Sequence, residues 1–272
     1  MIVTSTLRGP AAILADGAHV IVAVAVDTGL LVTRVSPDGS VAPIATSGDV
    51  SPSAIALTRG GDGEIWVVWL MRGDGPAGVS AARIRAGTLE KTPLAFEMRD
   101  VEAIDVAPTE TSVLIARATE NGVEIQTPGG EVSSIASGPA REVAFARGAP
   151  DTLGWTDEDG VHVATIASGV ASEPRLVDGG DRVGEATHRV GAGLSLVRDG
   201  DLTVAAYQDQ TRGSLVSARI DRLVTRREHV DRRLTRGFDV ALLATDGALL
   251  SFDLGLHTDR AVIGTVRVER LR

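Results

Sequence analysis

The chain has 272 residues, 43% of them hydrophobic but only 3% aromatic, and a formal net charge of −9. That much apolar surface can fill a large core, which excludes a disordered chain, and the acidic balance disfavours contact with nucleic acid phosphates. The absence of cysteine excludes disulfides, thiolate metal sites and cysteine nucleophiles. No apolar run reaches the roughly 18 residues of a spanning helix, so membrane insertion is not expected. Residues 1–8 lack a basic region followed by an apolar run, so they are not read as a signal peptide.

Strand alternation dominates throughout, and the strands recur in sets. The first set opens near Ala11. Its second strand is Val22-Ala23-Val24-Ala25 and its third Leu31-Val32-Thr33-Arg34-Val35. The next opens near Ser53 and continues with Ile65-Trp66-Val67-Val68-Trp69 and residues 79–84. A third opens near Glu102, with second and third strands at residues 114–117 and 123–126. A fourth opens near Glu142 and runs through Thr152-Leu153-Gly154-Trp155 and residues 161–166. The fifth opens near Ala192, with Val204-Ala205-Ala206-Tyr207 and residues 215–220. The sixth opens near Asp239, with Leu249-Leu250-Ser251-Phe252 and residues 263–268. Asp16-Gly17, Asp62-Gly63, Asp199-Gly200 and Asp246-Gly247 fall between first and second strands. Asn121-Gly122 and Asp159-Gly160 fall between second and third strands. Glycine in these pairs supplies the positive φ of a tight hairpin.

A repeat of roughly 40–50 residues with four strands per copy is the sequence pattern of propeller blades. The chain thus resembles the β-propeller superfamily over essentially its whole length. The expected fold is all-β: a single domain, residues 1–272, forming a six-bladed β-propeller of four-stranded antiparallel blades. The sixth copy has three strands, and residues 2–7 are one strand too many for the first. They fit as the fourth strand of the last blade, closing the ring and removing an open sheet edge. Subfamily marks are missing: there is no Gly-His…Trp-Asp pair and no Tyr-Trp-Thr-Asp. Gly61-Asp62-Gly63-Glu64-Ile65-Trp66, which approaches a sialidase Asp-box, occurs once and in the wrong turn. Residues 207–213 resemble a hairpin of extracytoplasmic bacterial propellers.

No linear catalytic motif is present: no Gly-x-Ser-x-Gly, no His-Glu-x-x-His, no phosphate-binding glycine loop. A propeller can still build a site from one residue per blade at the mouth of its channel, where the first strands begin. Glu102, Glu142 and Asp239 stand there, and the irregular segment of residues 178–189 adds Glu185 and His188. Converging carboxylates suit a hard cation such as Ca²⁺, or serve only as solvated rim charges. The recurring aromatics Trp69, Trp155, Tyr207 and Phe252 are read as packing between blades, with glycan stacking as the alternative. Arg226, Arg227, Arg232 and Arg233 belong to the one strongly basic stretch, expected on the outermost strand of the fifth blade and the loop after it. They either guard that edge or dock an acidic partner. The leading functional expectation is a non-catalytic module that binds protein and needs no cofactor. The alternative is a hydrolase or lactonase-like enzyme with a cation at the channel mouth.

Overall fold

The computed structural model describes residues 11–48, 50–71, 78–96, 100–167, 169–179, 182–183, 186–187, 190–211, 214–221, 225–231, 237–242, 248–257 and 261–270. The chain separates into two compact units, Met1–Ser137 and Gly138–Arg272.

The first unit holds three four-stranded antiparallel sheets in simple meander order. Sheet one is β1 (Ala11–Asp16), β2 (His19–Val26), β3 (Gly29–Val35) and β4 (Val41–Gly48). Sheet two is β5 (Pro52–Arg59), β6 (Ile65–Met71), β7 (Gly78–Arg85) and β8 (Thr88–Thr92). Sheet three is β9 (Val101–Pro108), β10 (Val113–Thr119), β11 (Gly122–Gln126) and β12 (Val132–Ser137). Strands β6 and β10 are buried on both faces, which is why β6 reads as an unbroken apolar run. In β6, Ile65, Val67 and Trp69 pack with Ile21, Val32 and Ala82 in the core between sheets one and two. The alternate residues Trp66 and Val68 pack with Val106, Val113 and Ile115 of sheet three. Trp69 is fully buried. Successive side chains of a strand point to opposite faces, so one strand joins two cores.

In the second unit, sheet four is β13 (Glu142–Arg147), β14 (Ala149–Thr156) and β15 (Val161–Ala167), with an edge split between β16 (Val170–Ala171) and β17 (Arg175–Asp178). Pro174 lies in the split. It has no N–H to give the ladder, so an unbroken edge strand cannot run through it. A small hairpin follows, β18 (Arg182–Val183) with β19 (Ala186–Thr187). Sheet five is β20 (Val190–Asp199), β21 (Leu202–Asp209), β22 (Ser214–Ile220) and β23 (Thr225–Asp231). The last sheet is β24 (Gly237–Leu242), β25 (Ala248–His257) and β26 (Ala261–Arg270). The first strands of sheets four and five run parallel and touch, pairing Ala146 with Leu196 and Arg147 with Val197. Their facing surfaces bury Val163, Leu196, Ala205, Tyr207 and Ala218 in one core.

This is a propeller-like, all-β architecture of blade-like sheets. Each first strand begins within two residues of its expected start. The expected segment of residues 178–189 is corrected. Asp178 ends a strand and is buried, and residues 182–187 contain the small hairpin. Residues 2–7, proposed to complete the last sheet, lie outside the described residues.

Candidate functional site

The site is built on the ends of the first strands. Glu142 is the first residue of β13, paired with Thr156 of β14. Its Oε1 accepts a 3.5 Å hydrogen bond from the Gly193 amide of β20, tying the innermost strands of sheets four and five together. Glu102 is the second residue of β9 and is exposed. Asp239 is the third residue of β24 and pairs with Phe252; its side chain, with Glu185 and His188, lies outside the described residues. Among the described residues, no three or more His, Asp or Glu side chains are grouped to hold a metal ion.

Three polar arrangements stand at the same ends of sheets four and five. The Tyr207 hydroxyl donates to Asp178 Oδ2 at 2.8 Å, with Tyr207 fully buried and Asp178 6% exposed. This bond clamps the edge strand of sheet four to the second strand of sheet five. Asp209, 3% exposed, accepts from the Thr211 amide at 3.0 Å. In the turn between β14 and β15, Asp157 Oδ1 accepts from the amides of Asp159 and Gly160 at 2.8 and 3.1 Å. It also meets His162 Nε2 at 3.0 Å, and the imidazole stacks on Trp155 with ring centroids 5.5 Å apart. A buried Tyr–Asp bond and a stacked His–Asp pair fix this end of the sheets rigidly. Asp157 did not stand out in the sequence, and Asp178 entered only as the first residue of the segment 178–189. Each follows an ordinary strand, Leu176-Val177-Asp178 and Gly154-Trp155-Thr156-Asp157, and its partner comes from another strand.

The aromatic column is settled by burial. Trp69, Trp155 and Tyr207 are at most 2% exposed, so none of the three offers a ring face for a glycan. The side chain of Phe252 lies outside the described residues.

Part of the basic stretch lies in the described residues. Arg226 and Arg227 are in β23, paired to Arg219 and Ala218 of β22 and at the end of the strand order of its sheet. Arg232 and Arg233 lie outside the described residues.

No protein-family model and no curated protein matches the chain. Solved structures do. A protein of unknown function from Dyadobacter fermentans aligns with a TM-score of 0.64 at 10% identity, covering 96% of this chain and 94% of that one. The hydrazine synthase of Kuenenia stuttgartiensis aligns at 0.59 and 15%, covering 92% and 75%. A thermostable family-43 glycoside hydrolase, whose fold is a five-bladed β-propeller, aligns at 0.54 and 9%, covering 97% and 89%. The likeness is one of fold. At these identities it carries no activity from one protein to another.

Proposed function

We propose that the chain is a closed six-bladed propeller that serves as a protein-binding module, taking an acidic extended segment onto the edge of its fifth blade. The supporting observation is β23. It is the outer strand of its sheet, and an outer strand offers a row of backbone N–H and C=O groups to an added strand. It carries Arg226 and Arg227 and leads into Arg232 and Arg233, in a chain whose net charge is −9. Opposite charge across such an edge speeds encounter and fixes register. The test is fluorescence anisotropy with a labelled peptide alternating Glu and Val. Binding should weaken steeply with salt and vanish in R226E/R227E, while the same peptide with Lys for Glu stays unbound. Salt-independent binding, or binding equal in the variant, overturns the reading.

A second reading, a propeller hydrolase or lactonase-like enzyme with a channel cation, is favoured by Glu102, Glu142 and Asp239 standing at the starts of the first strands of three sheets. Calcium at 100 times its dissociation constant would stabilise the fold by about 2.7 kcal/mol. That raises the melting temperature by at least about 2–4 °C relative to EDTA, and the rise should be lost in Glu142→Gln. An unchanged melting temperature in both proteins removes this reading.

A further inference from the structure

The seam between sheets four and five is apolar at its centre and opens at one end into a cavity of about 390 Å³. This end lies away from Glu142, beside the Asp199-Gly200 turn. Arg198, Thr203, Ile220 and Thr225 form one row across sheet five. They alternate in step with Leu196, Ala205 and Ala218, so the row faces sheet four. The corresponding row of sheet two is Arg59, Ile65, Ile84 and Leu89. There Ile65 and Ile84 are buried, and Leu89 packs against the core shared with sheet one. Two of three apolar places have become threonine. Across the seam, Thr152 of β14 stands where β2 has the fully buried Ile21, each two residues before a small residue, Gly154 or Ala23, that the seam covers.

The closing ion pair has changed as well. In the first unit Arg59 reaches across to Asp16, which also holds Arg34 at 3.0 Å. In the second unit β13 ends in Arg147 where β1 ends in Asp16. Arg198 turns back on its own sheet, donating from Nε to the Gly200 carbonyl at 2.8 Å and from Nη1 to Thr203 Oγ1 at 2.9 Å. Thr152 and Thr203 are 4% and 3% exposed; the Thr152 hydroxyl donates to Asp151 Oδ1 at 3.3 Å and Thr203 accepts from Arg198. The Thr225 hydroxyl, in the same row, is buried with no hydrogen-bond partner. Threonines in place of larger apolar side chains leave this end of the seam polar and open.

The lining says which guest such an opening suits. Arg175 donates to the Asp221 carbonyl. It and Arg198 are thus each fixed by bonds that use only part of a guanidinium's five N–H groups. Glu173, Asp201 and Asp221 supply carboxylates at the rim, and Val163, Ala164 and Ile220 an apolar patch. Two guanidiniums against three carboxylates leave little net charge for an ion. Guanidinium donors and carboxylate and hydroxyl acceptors beside an aliphatic patch match a ring that carries neighbouring hydroxyls on one side and C–H groups on the other. We propose that this cavity binds a neutral mono- or disaccharide.

Saturation-transfer NMR with glucose, galactose, mannose, maltose and cellobiose, each at about 10 mM to reach millimolar affinities, tests this. At least one sugar should bind. T152I/T203I, which rebuilds the apolar row of the sealed seam, should hold or raise the melting temperature and abolish the signal. Should that variant melt lower, Asp201→Asn and Glu173→Gln, both at exposed positions, carry the test, with affinity expected to fall roughly tenfold for the loss of a bond to a charged group. Silence across the panel overturns the proposal. So does sugar binding that survives all three variants, or binding of free glycine and alanine in place of sugars.

Discussion

At the residue scale, the buried charges of the third sheet carry more than their number suggests. Arg117 of β10 is 1% exposed, and its Nη2 and Nε meet Glu124 Oε2 at 2.5 and 2.7 Å. Its guanidinium lies 4.4 Å over the ring of Phe96, in the segment that joins sheet two to sheet three. The flanking Gln126 is bonded on both sides, accepting from the Ala95 amide at 3.1 Å and donating to the Gly130 carbonyl at 2.7 Å. Removing one partner of a buried ion pair leaves the other uncompensated, whereas replacing both with apolar groups is often neutral. Arg117→Met should therefore destabilise by about 3 kcal/mol, at the lower end of the usual range because Glu124 retains some solvent. R117M/E124M should recover most of that loss. Urea unfolding of the two variants and of E124M alone gives the coupling directly. Equal losses in R117M and in the double variant would show that the loss comes from the packing of Arg117 on Phe96 and not from a stranded Glu124 charge.

At the element scale, the hairpins explain why so much of the fold was legible. Asp-Gly and Asn-Gly pairs mark turns because a side chain resists positive φ, and Gly63 and Gly122 indeed have φ of 79° and 140°. The apolar run of β6 marks a second strand because that strand is covered on both faces. The outer strands gave no comparable signal. β4, β8 and β12 are half-exposed along most of their length, so polar residues interrupt their sequences, which merge with the loops. The edge of sheet four was harder still, because Pro174 divides it. The candidate site was partly legible for the same reason. Glu142 and the arginines of β23 could be placed from strand positions alone. The Tyr207–Asp178 bond and the threonine-lined seam depend on which faces meet, and that is a tertiary fact. Glycine shows the difference within one turn. Gly63 has open space around it, so Gly63→Ala carries only the left-handed backbone strain of roughly 1–2 kcal/mol. A Cβ on Gly61 would stand 2.1 Å from the Glu110 carbonyl oxygen and 2.2 Å from that of Thr109. It would also push away Ser112, whose carbonyl accepts from the Gly61 amide at 3.3 Å. Gly61→Ala should cost more than Gly63→Ala, about 3 kcal/mol as overpacking does, and should loosen sheet two from sheet three. Hydrogen exchange in residues 109–113 should rise in the first variant and stay unchanged in the second. The opposite order would mean that backbone conformation, and not the close approach of two turns, governs this junction.

At the scale of the whole molecule, the question is whether the ring closes. Sheet one has two apolar faces. Ala12, Leu14, Ile21 and Ala23 face sheet two and its core. The alternate residues pair as Ala11 with Val24, Ile13 with Val22 and Ala15 with Val20, and on this second face Ile13 is 67% and Val20 36% exposed. A sheet with a polar outer face would alternate apolar and polar residues along these strands, and β1 and β2 do not. The pattern is that of a sheet with two covered faces, and in the closed six-bladed ring proposed above the neighbour would be the last sheet, completed by residues 2–7. Ile13→Glu separates the two cases sharply. If the ring is closed, the substitution places a carboxylate in an apolar seam and forfeits the burial of an isoleucine, which alone is worth about 1.5–3 kcal/mol; the desolvated charge adds to it. If the face stays in solvent, the change falls within about 0.5 kcal/mol, as surface substitutions do. If the ring is closed through residues 2–7, deleting residues 1–7 should reproduce the larger loss, because it would take the closing strand away and leave the last sheet with a bare edge. Chemical denaturation of both variants decides between the two. A large loss in each supports closure through the N-terminal strand. A neutral Ile13→Glu would show that the second face of sheet one has no neighbour in this chain.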